Sequence, residues 1–215
     1  KLTLPQTIII TLFCIMMILA IFNMPQLGVF SIGVSALFVV IATLSDSKGI
    51  FISIAMVILG LVLFIKPIYI FDICLNFIIP GIIIGMITKN VLNHREDNKY
   101  NPIFMGTIAF IIGLIANYLI SKYLFNINIL EEFTSVMKTQ LSTQISAIQE
   151  SVSSLASVSN ITEESIIQTV LNIMPLILFS RSIMLSILTY FLAIYTLKKI
   201  RKNDLKEKLM QIKFS

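Results

Sequence analysis

Residues 68–88 of this 215-residue chain read IYIFDICLNFIIPGIIIGMIT, a run of 21 residues with a single charge, Asp72. The next eleven residues, KNVLNHREDNK at 89–99, are polar and carry three of the chain's 16 lysines and arginines. About 20 predominantly apolar residues are needed for a helix to cross the hydrocarbon core of a bilayer. An apolar run of this length that stops at a basic loop predicts a transmembrane helix ending at a membrane surface.

The composition extends this prediction to the whole chain. It is 57% hydrophobic and 13% charged, with a mean hydropathy of +0.94, whereas about 25% of the residues in a soluble domain are charged. A water-exposed surface cannot be built from this composition. The net charge of +5 follows membrane topology and does not indicate nucleic-acid binding. Cys14 and Cys74 lie inside apolar runs, which predicts buried thiols without a disulfide.

The same pattern recurs along the chain and predicts an all-α, polytopic membrane protein. Breaks at Pro25 and Pro67 fit this pattern, because proline suits the first turn of a helix. Together with a basic cytoplasmic tail at 199–215, the spans form a single six-helix membrane domain, residues 1–198. The six predicted spans are residues 4–23, 27–44, 49–65, 68–88, 102–123 and 173–197.

The distribution of positive charge predicts the orientation. With a cytoplasmic N-terminus, the inner segments hold 12 lysines and arginines and the outer segments hold three, Lys66, Lys122 and Lys138. Because cytoplasmic loops carry the excess of Lys and Arg, we expect both termini in the cytoplasm. Lysine outnumbers arginine 13 to 3 and isoleucine is abundant, which fits an AT-rich bacterial genome, and the expected location is then the bacterial cytoplasmic (plasma) membrane.

Small residues recur at close spacing along three of the spans. In lipid, helices associate through close packing at such residues, so we expect them to form contacts between helices. They are Gly28, Ser31, Ser35 and Ala36 in the second span, Gly81 and Gly85 in the fourth, and Gly106, Ala109, Gly113 and Ala116 in the fifth.

Residues 127–172, between the fifth and sixth spans, differ in character from the rest. From Leu130 onward apolar residues recur every three or four positions, opposite a face of Ser, Thr and Gln, which predicts an amphipathic helix. Asn160 lies three residues before Glu163, a capping pattern for a new helix that continues through a kink at Pro175 into the sixth span. The predicted orientation makes this insertion external. It could cover the bundle as a lid, pair with another chain, or rest on the headgroups.

Four polar positions gather near the predicted outer ends of the spans. Asp72 and Asn76 are one turn apart, Asn117 lies in the outer part of the fifth span, and Arg181 precedes Lys198 by 17 residues, about 25 Å along a helix. Ionisable groups inside a membrane are costly, so these four are candidate ligand-binding residues. Asp72 and Arg181 are expected at similar depths, where they pair or line a cavity that opens outward. Alternatively, Arg181 snorkels to the interface and Asp72 marks the edge of a short loop.

The remaining sequence offers no catalytic or metal-binding pattern. The single histidine, His94, lies in an inner loop beside Glu96 and Asp97, and apart from Asp46 nothing else in the chain supplies the remaining ligands or a nucleophile. No glycine-rich phosphate loop, zinc motif or nucleophile elbow is present. We therefore expect a protein that is not an enzyme and has no cofactor and no metal.

The order of these features resembles a known family. The fourth span ends in PGIIIG at 80–85 before a basic loop, the fifth ends in NIN at 126–128, and IMP at 173–175 opens the last span after the amphipathic helix. This arrangement resembles the YybS-like family of uncharacterised bacterial membrane proteins. It is distantly similar to the S components of energy-coupling-factor transporters.

That resemblance implies six helices, an outward-facing ligand pocket and association with a transmembrane coupling protein. Residues 8–17 are bulky, however, where S components often carry an Ala-x-x-x-Ala docking motif. The favoured function is a small-solute binding or transport component, with the lipid bilayer and a small-molecule ligand as partners. The alternative is a membrane scaffold that recruits a membrane protein partner through the external helix or the basic tail.

Overall fold

A computed structural model of the chain describes residues 2–93, 98, 100–151 and 163–200. Every regular element within these ranges is helical, which confirms the all-α prediction. A 3₁₀ turn, Pro25–Phe30, precedes α2, and a π turn, Cys74–Ile78, joins α4 to α5. The α-helices are α1 Leu4–Asn23, α2 Ser31–Leu44, α3 Ser47–Val62, α4 Pro67–Ile73, α5 Ile79–Asn93, α6 Asn101–Tyr123, α7 Ile129–Ser151 and α8 Glu163–Ile200.

Five helical stretches within the described ranges are long and apolar enough to cross a membrane. Their mean hydropathies lie between 1.9 and 2.4, and they include five of the six predicted spans. They are Leu4–Asn23, Gln26–Leu44, Pro67–Asn93, Asn101–Tyr123 and Glu164–Ile200.

The third predicted span is shorter in the structure than in the sequence interpretation. Its helix, α3, has 16 residues, about 24 Å at 1.5 Å per residue, against about 30 Å for the hydrocarbon core. The helix stops because the amides of Phe64 and Ile65 both donate to the Leu61 carbonyl. Pro67 then holds Lys66 in an extended conformation.

The described residues fall into two compact units, one from Lys1–Asn117 and Arg181–Ser215, the other from Tyr118–Ser180. The core of the first unit is built around α2, of which ten residues are buried. Val39 and Val40 of α2 pack in one cluster with Phe110 of α6 and with Tyr190 and Leu197 of α8. On another side α2 packs against α1 and α3 in a second cluster.

Two glycines of α5 allow it to run parallel to α2 at close range. A Cβ at Gly81 would come within 2.5 Å of the Ser35 carbonyl oxygen, and one at Gly85 within 2.6 Å of the Val39 carbonyl oxygen. Real Cβ atoms do not approach so closely, so only glycine fits at these positions. The predicted contact role of Gly81 and Gly85 is confirmed.

Helices α1 and α3 also run parallel, and here hydroxyl groups join them. Thr11 Oγ1 donates to Ser53 Oγ at 2.9 Å, and the Thr7 and Ser45 hydroxyls are 3.2 Å apart. All four side chains are buried. In a membrane the hydrophobic effect does not drive helices together, so hydrogen bonds of this kind help to stabilise their association.

The last carbonyls of α2 are satisfied by neighbouring segments. Lys89 Nζ donates to the Ser45 carbonyl oxygen at 2.9 Å, and the Leu2 amide donates to the Leu44 carbonyl oxygen at 3.0 Å. A cation at a helix C-terminus is favourable because the free carbonyls there carry partial negative charge.

The second unit contains α7, the helix that the apolar residues at every third or fourth position from Leu130 predicted. Leu130, Phe133 and Val136 are each more than a third exposed. The predicted helix break and the capping residue Asn160 lie outside the described residues. Glu163 is the first residue of α8, and α8 continues through Pro175 as predicted.

Candidate functional site

The candidate site lies at the end of the first unit where α1 ends and where α2 and α4 begin; we call this the Asp72 end. Its distinctive local feature is the π turn. Pro80 has no N–H and its ring crowds the carbonyl four residues earlier, so a regular α-helical ladder cannot continue here. The Ile79 amide instead donates to the Cys74 carbonyl, five residues back. π turns inside α-helices frequently occur at functional sites.

Helix α6 approaches this π turn closely because of Gly113. A Cβ at Gly113 would collide with the Leu75 carbonyl oxygen. The two segments run antiparallel, since Gly106, earlier in α6, lies against the side chain of Ile84, later in α5. One turn beyond Gly113, the approach brings Asn117 within reach of Asp72.

The carboxylate of Asp72 accepts two amide hydrogen bonds on the same oxygen. Asn76 Nδ2 donates to Asp72 Oδ1 at 2.6 Å, and Asn117 Nδ2 donates to it at 2.7 Å. Hydrogen bonds to an ionised acceptor are roughly twice as strong as neutral ones. They hold the carboxylate in one orientation.

Asn76 is 6% exposed, and its Oδ1 atom has no hydrogen-bond partner among the described residues. A buried acceptor left without a donor costs about 1–3 kcal/mol. Because the amide nitrogen of Asn76 donates to Asp72, the side chain cannot turn its oxygen toward a donor elsewhere. Orienting the Asp72 carboxylate therefore includes the free-energy cost of this unpaired oxygen.

A cavity of about 460 Å³ opens beside Asp72. This lies within the range of small-molecule pockets, roughly 300–1,000 Å³. Asp72 and Arg181 are the two charged residues in its wall, and Arg181 acts electrostatically on the Asp72 carboxyl group. Most of the other lining residues are apolar: Ile18, Ile21, Phe22, Gly28, Ser31, Val34, Tyr69, Ile73 and Phe77.

The structure therefore brings together the four residues that the sequence singled out. Asp72 and Arg181 line the cavity. Asn76 and Asn117 are not among its lining residues, but they orient Asp72 through their hydrogen bonds to its carboxylate. Asp72 is part of helix α4 and is half-buried, so the interpretation of Asp72 as the edge of a loop is wrong. Arg181 is exposed.

Other lining residues were missed or misread in the sequence. Gly28 and Ser31 were expected at helix contacts, but a Cβ at Gly28 would meet nothing within 4 Å, and both residues line the cavity. The ring of Phe22 packs edge-on against Tyr69, with centroids 5.4 Å apart. The available signal was topological, because these residues flank breaks that the predicted topology puts on the same side of the membrane as Asp72.

No group of three or more His, Cys, Asp or Glu side chains that could hold a metal ion occurs in the described part of the chain. Cys14 and Cys74 are free thiols, as predicted; Cys14 is buried as expected, whereas Cys74 is half-buried. His94 lies outside the described residues.

The fold and the site define a multi-pass membrane protein, helical throughout its described elements, with a mostly apolar cavity that carries two charged residues at one end of its helix bundle. The chain belongs to the family described as Predicted membrane protein (DUF2232), whose sequence model matches residues 11–214. No curated protein and no solved structure matches the chain.

Proposed function

We propose that this protein is a non-enzymatic membrane component that binds a small solute in the cavity at the Asp72 end, for capture or transport. The observation that carries the proposal is the placement of Asp72 and Arg181 in the wall of one cavity of about 460 Å³. Pockets that bind small molecules are mostly apolar with a few fixed polar groups, and this cavity has that composition. The YybS-like and S-component-like resemblance points to the same function.

The proposed topology has six membrane crossings with both termini in the cytoplasm. Helices α2 and α5 are parallel, so the chain must return from the end of α2 to the start of α4, and α3 is the segment that makes this return. Its pairing with α1 through Thr11 and Ser53 supports a full crossing despite its length. With the charge bias, the cavity then opens outward, and the insertion between α6 and α8 is external.

Retention of a solute during purification tests the proposal. The full chain is extracted in mild detergent from its native type of membrane and examined by native mass spectrometry. Gly28→Leu adds an apolar side chain at a residue of the cavity wall, and its Cβ meets nothing within 4 Å, so we expect it to reduce the space for a ligand. Lys48→Gln, at an exposed lysine in the first turn of α3, is the control.

We expect a small-molecule adduct on the wild type and on the Lys48→Gln variant, and its loss from the Gly28→Leu variant. An adduct that survives Gly28→Leu would place binding elsewhere. The absence of any adduct from all three proteins would contradict the proposal.

The alternative function is recruitment of a partner protein by α7. It is supported by the exposure of Leu130, Phe133 and Val136 on that helix. The same spectra distinguish it, since a bound protein adds a mass far larger than that of a solute, and Phe133→Ser would remove that mass while leaving a solute adduct in place.

A further inference from the structure

The charges on the cavity wall carry information about the ligand. Asp72 comes from α4 and Arg181 from α8, so one negative and one positive group face the same space and the lining has no net charge. The surroundings are apolar, with Ile18, Phe22 and Phe77 among the lining residues.

Only one of the two carboxylate oxygens of Asp72 accepts hydrogen bonds from the neighbouring asparagines. Oδ1 accepts both amide hydrogen bonds, from Asn76 and Asn117. Neither amide donates to the other oxygen, Oδ2, which leaves it for a ligand at the cavity wall. A carboxylate fixed in this way is a preorganised acceptor, which reduces the ordering cost of binding.

We infer that the cavity takes a zwitterionic ligand, with its cationic group at Asp72 Oδ2, its anionic group at Arg181 and its apolar body against the aromatic and aliphatic wall. This inference rests on the proposed function and specifies its substrate class. A ligand with one charge would pair with one wall group and would displace water from the other without replacing its hydrogen bonds, which is costly. A zwitterion satisfies both.

The cavity volume limits the size of that ligand. About 460 Å³ lies toward the lower end of the range for small-molecule pockets, which limits the ligand to a small solute or a headgroup. An ammonium and an acid group joined through a short body fit this limit. Two sources supply that chemistry: a free amino acid-like solute, or the ethanolamine phosphate headgroup of a lipid.

Three probes with the same aromatic body separate the charge requirements. Phenylalanine is the zwitterion, 2-phenylethylamine is the cation and 3-phenylpropanoate is the anion. Binding to the full chain in detergent is measured by equilibrium dialysis. We expect wild-type protein to bind phenylalanine at least tenfold more tightly than either of the other two.

Two isosteric variants should shift this preference in opposite directions. Asp72→Asn keeps an oxygen that can accept from Asn76 and Asn117, so the local structure is preserved, but phenylalanine should bind at least tenfold more weakly and the anion should bind better than the cation. Arg181→Gln should favour the cation, and Arg181→Lys should retain phenylalanine. Lys48→Gln should bind all three probes as the wild type does.

The lipid source is tested in nanodiscs. If phosphatidylethanolamine raises the unfolding temperature of the wild type above the value in phosphatidylglycerol, and Asp72→Asn abolishes the difference, the zwitterion is a headgroup and the inference stands. A singly charged or neutral probe that binds wild type, Asp72→Asn and Arg181→Gln equally would overturn it, while the proposed function would survive if Gly28→Leu blocked that probe. If no probe or lipid has any effect and Gly28→Leu changes no adduct, both fall.

Discussion

Substitution of Gly113 by alanine tests whether the close approach of α6 to the π turn positions Asp72. The added Cβ would collide with the Leu75 carbonyl oxygen, which belongs to the backbone and cannot rotate away. Helix α6 must therefore move outward, and Asn117, one turn further along, loses its 2.7 Å hydrogen bond to Asp72.

The magnitude follows from three contributions. Overpacking a tight contact costs about 1–3 kcal/mol, and loss of a hydrogen bond to a charged group costs about 1.5–3 kcal/mol. Alanine in place of glycine within a helix regains about 1 kcal/mol. We expect Gly113→Ala to lower the free energy of unfolding by about 2–4 kcal/mol, which for a chain of this size lowers the unfolding temperature by roughly 4–16 °C.

The chain supplies its own probe for this measurement. It contains no tryptophan, but Cys14 is fully buried and unbridged. In a Cys74→Ala background, a thiol-reactive fluorophore reacts with Cys14 when the bundle unfolds, so fluorescence against temperature gives the transition.

Gly28→Ala is the matched control, because its Cβ meets nothing within 4 Å. We expect it to unfold at the wild-type temperature or slightly above. Asn117→Ala combined with Gly113→Ala should be less destabilising than the two single effects added together, because both remove the same hydrogen bond. An unfolding temperature for Gly113→Ala equal to that of Gly28→Ala would refute this reasoning.

Three further outcomes can be checked. Thr11→Val removes the hydroxyl that joins α1 to α3 and should lower the free energy of unfolding by about 0.6 kcal/mol, the average for such bonds in membranes; the Cys14 assay measures it, and a loss of several kcal/mol would mean that the bond is not the only interaction removed. Lys89→Met leaves the Ser45 carbonyl oxygen without its lysine donor and should cost about 0.3–1 kcal/mol, less at high salt; the same assay across a salt series checks the trend, which Lys48→Gln should not follow. In a cysteine-free background, an impermeant thiol reagent applied to cells should label Gln140→Cys but spare His94→Cys, and the reverse result would invert the proposed topology.

The helices could be predicted from sequence because hydropathy acts over many residues at once. Five predicted spans coincide with apolar helices of sufficient length, and Pro67 marks the start of α4 as expected. Two details escaped. α3 ends before Ile65 because residues 63–66 form the turn that precedes Pro67. The π turn before Pro80 was not predicted, because the residues around it are as apolar as those of a regular transmembrane helix.

For the candidate site, the polar residues were accessible from sequence and the apolar wall was not. Asp72 and Arg181 stand out because charge is rare inside spans, and counting along the helices from the span ends placed them at similar depths. Phe22 and Gly28 carry no such mark, since a side chain facing a cavity and one facing lipid have the same hydropathy. Whether Gly28 packs against another helix or lines a cavity depends on how the helices are arranged in space, and a single sequence does not show this.

The central place of α2 has a consequence for biosynthesis. Its close-packing partner α5 begins 35 residues after α2 ends, so α2 leaves the ribosome well before the glycine surface of Gly81 and Gly85 exists. Until then Ser35 and Thr43, which are buried in the finished bundle, face lipid or whatever insertion factor holds the nascent helices. A chain truncated after α3 should therefore be a preferred substrate for membrane quality-control proteases, and completion of α5 is the step that ends this exposure.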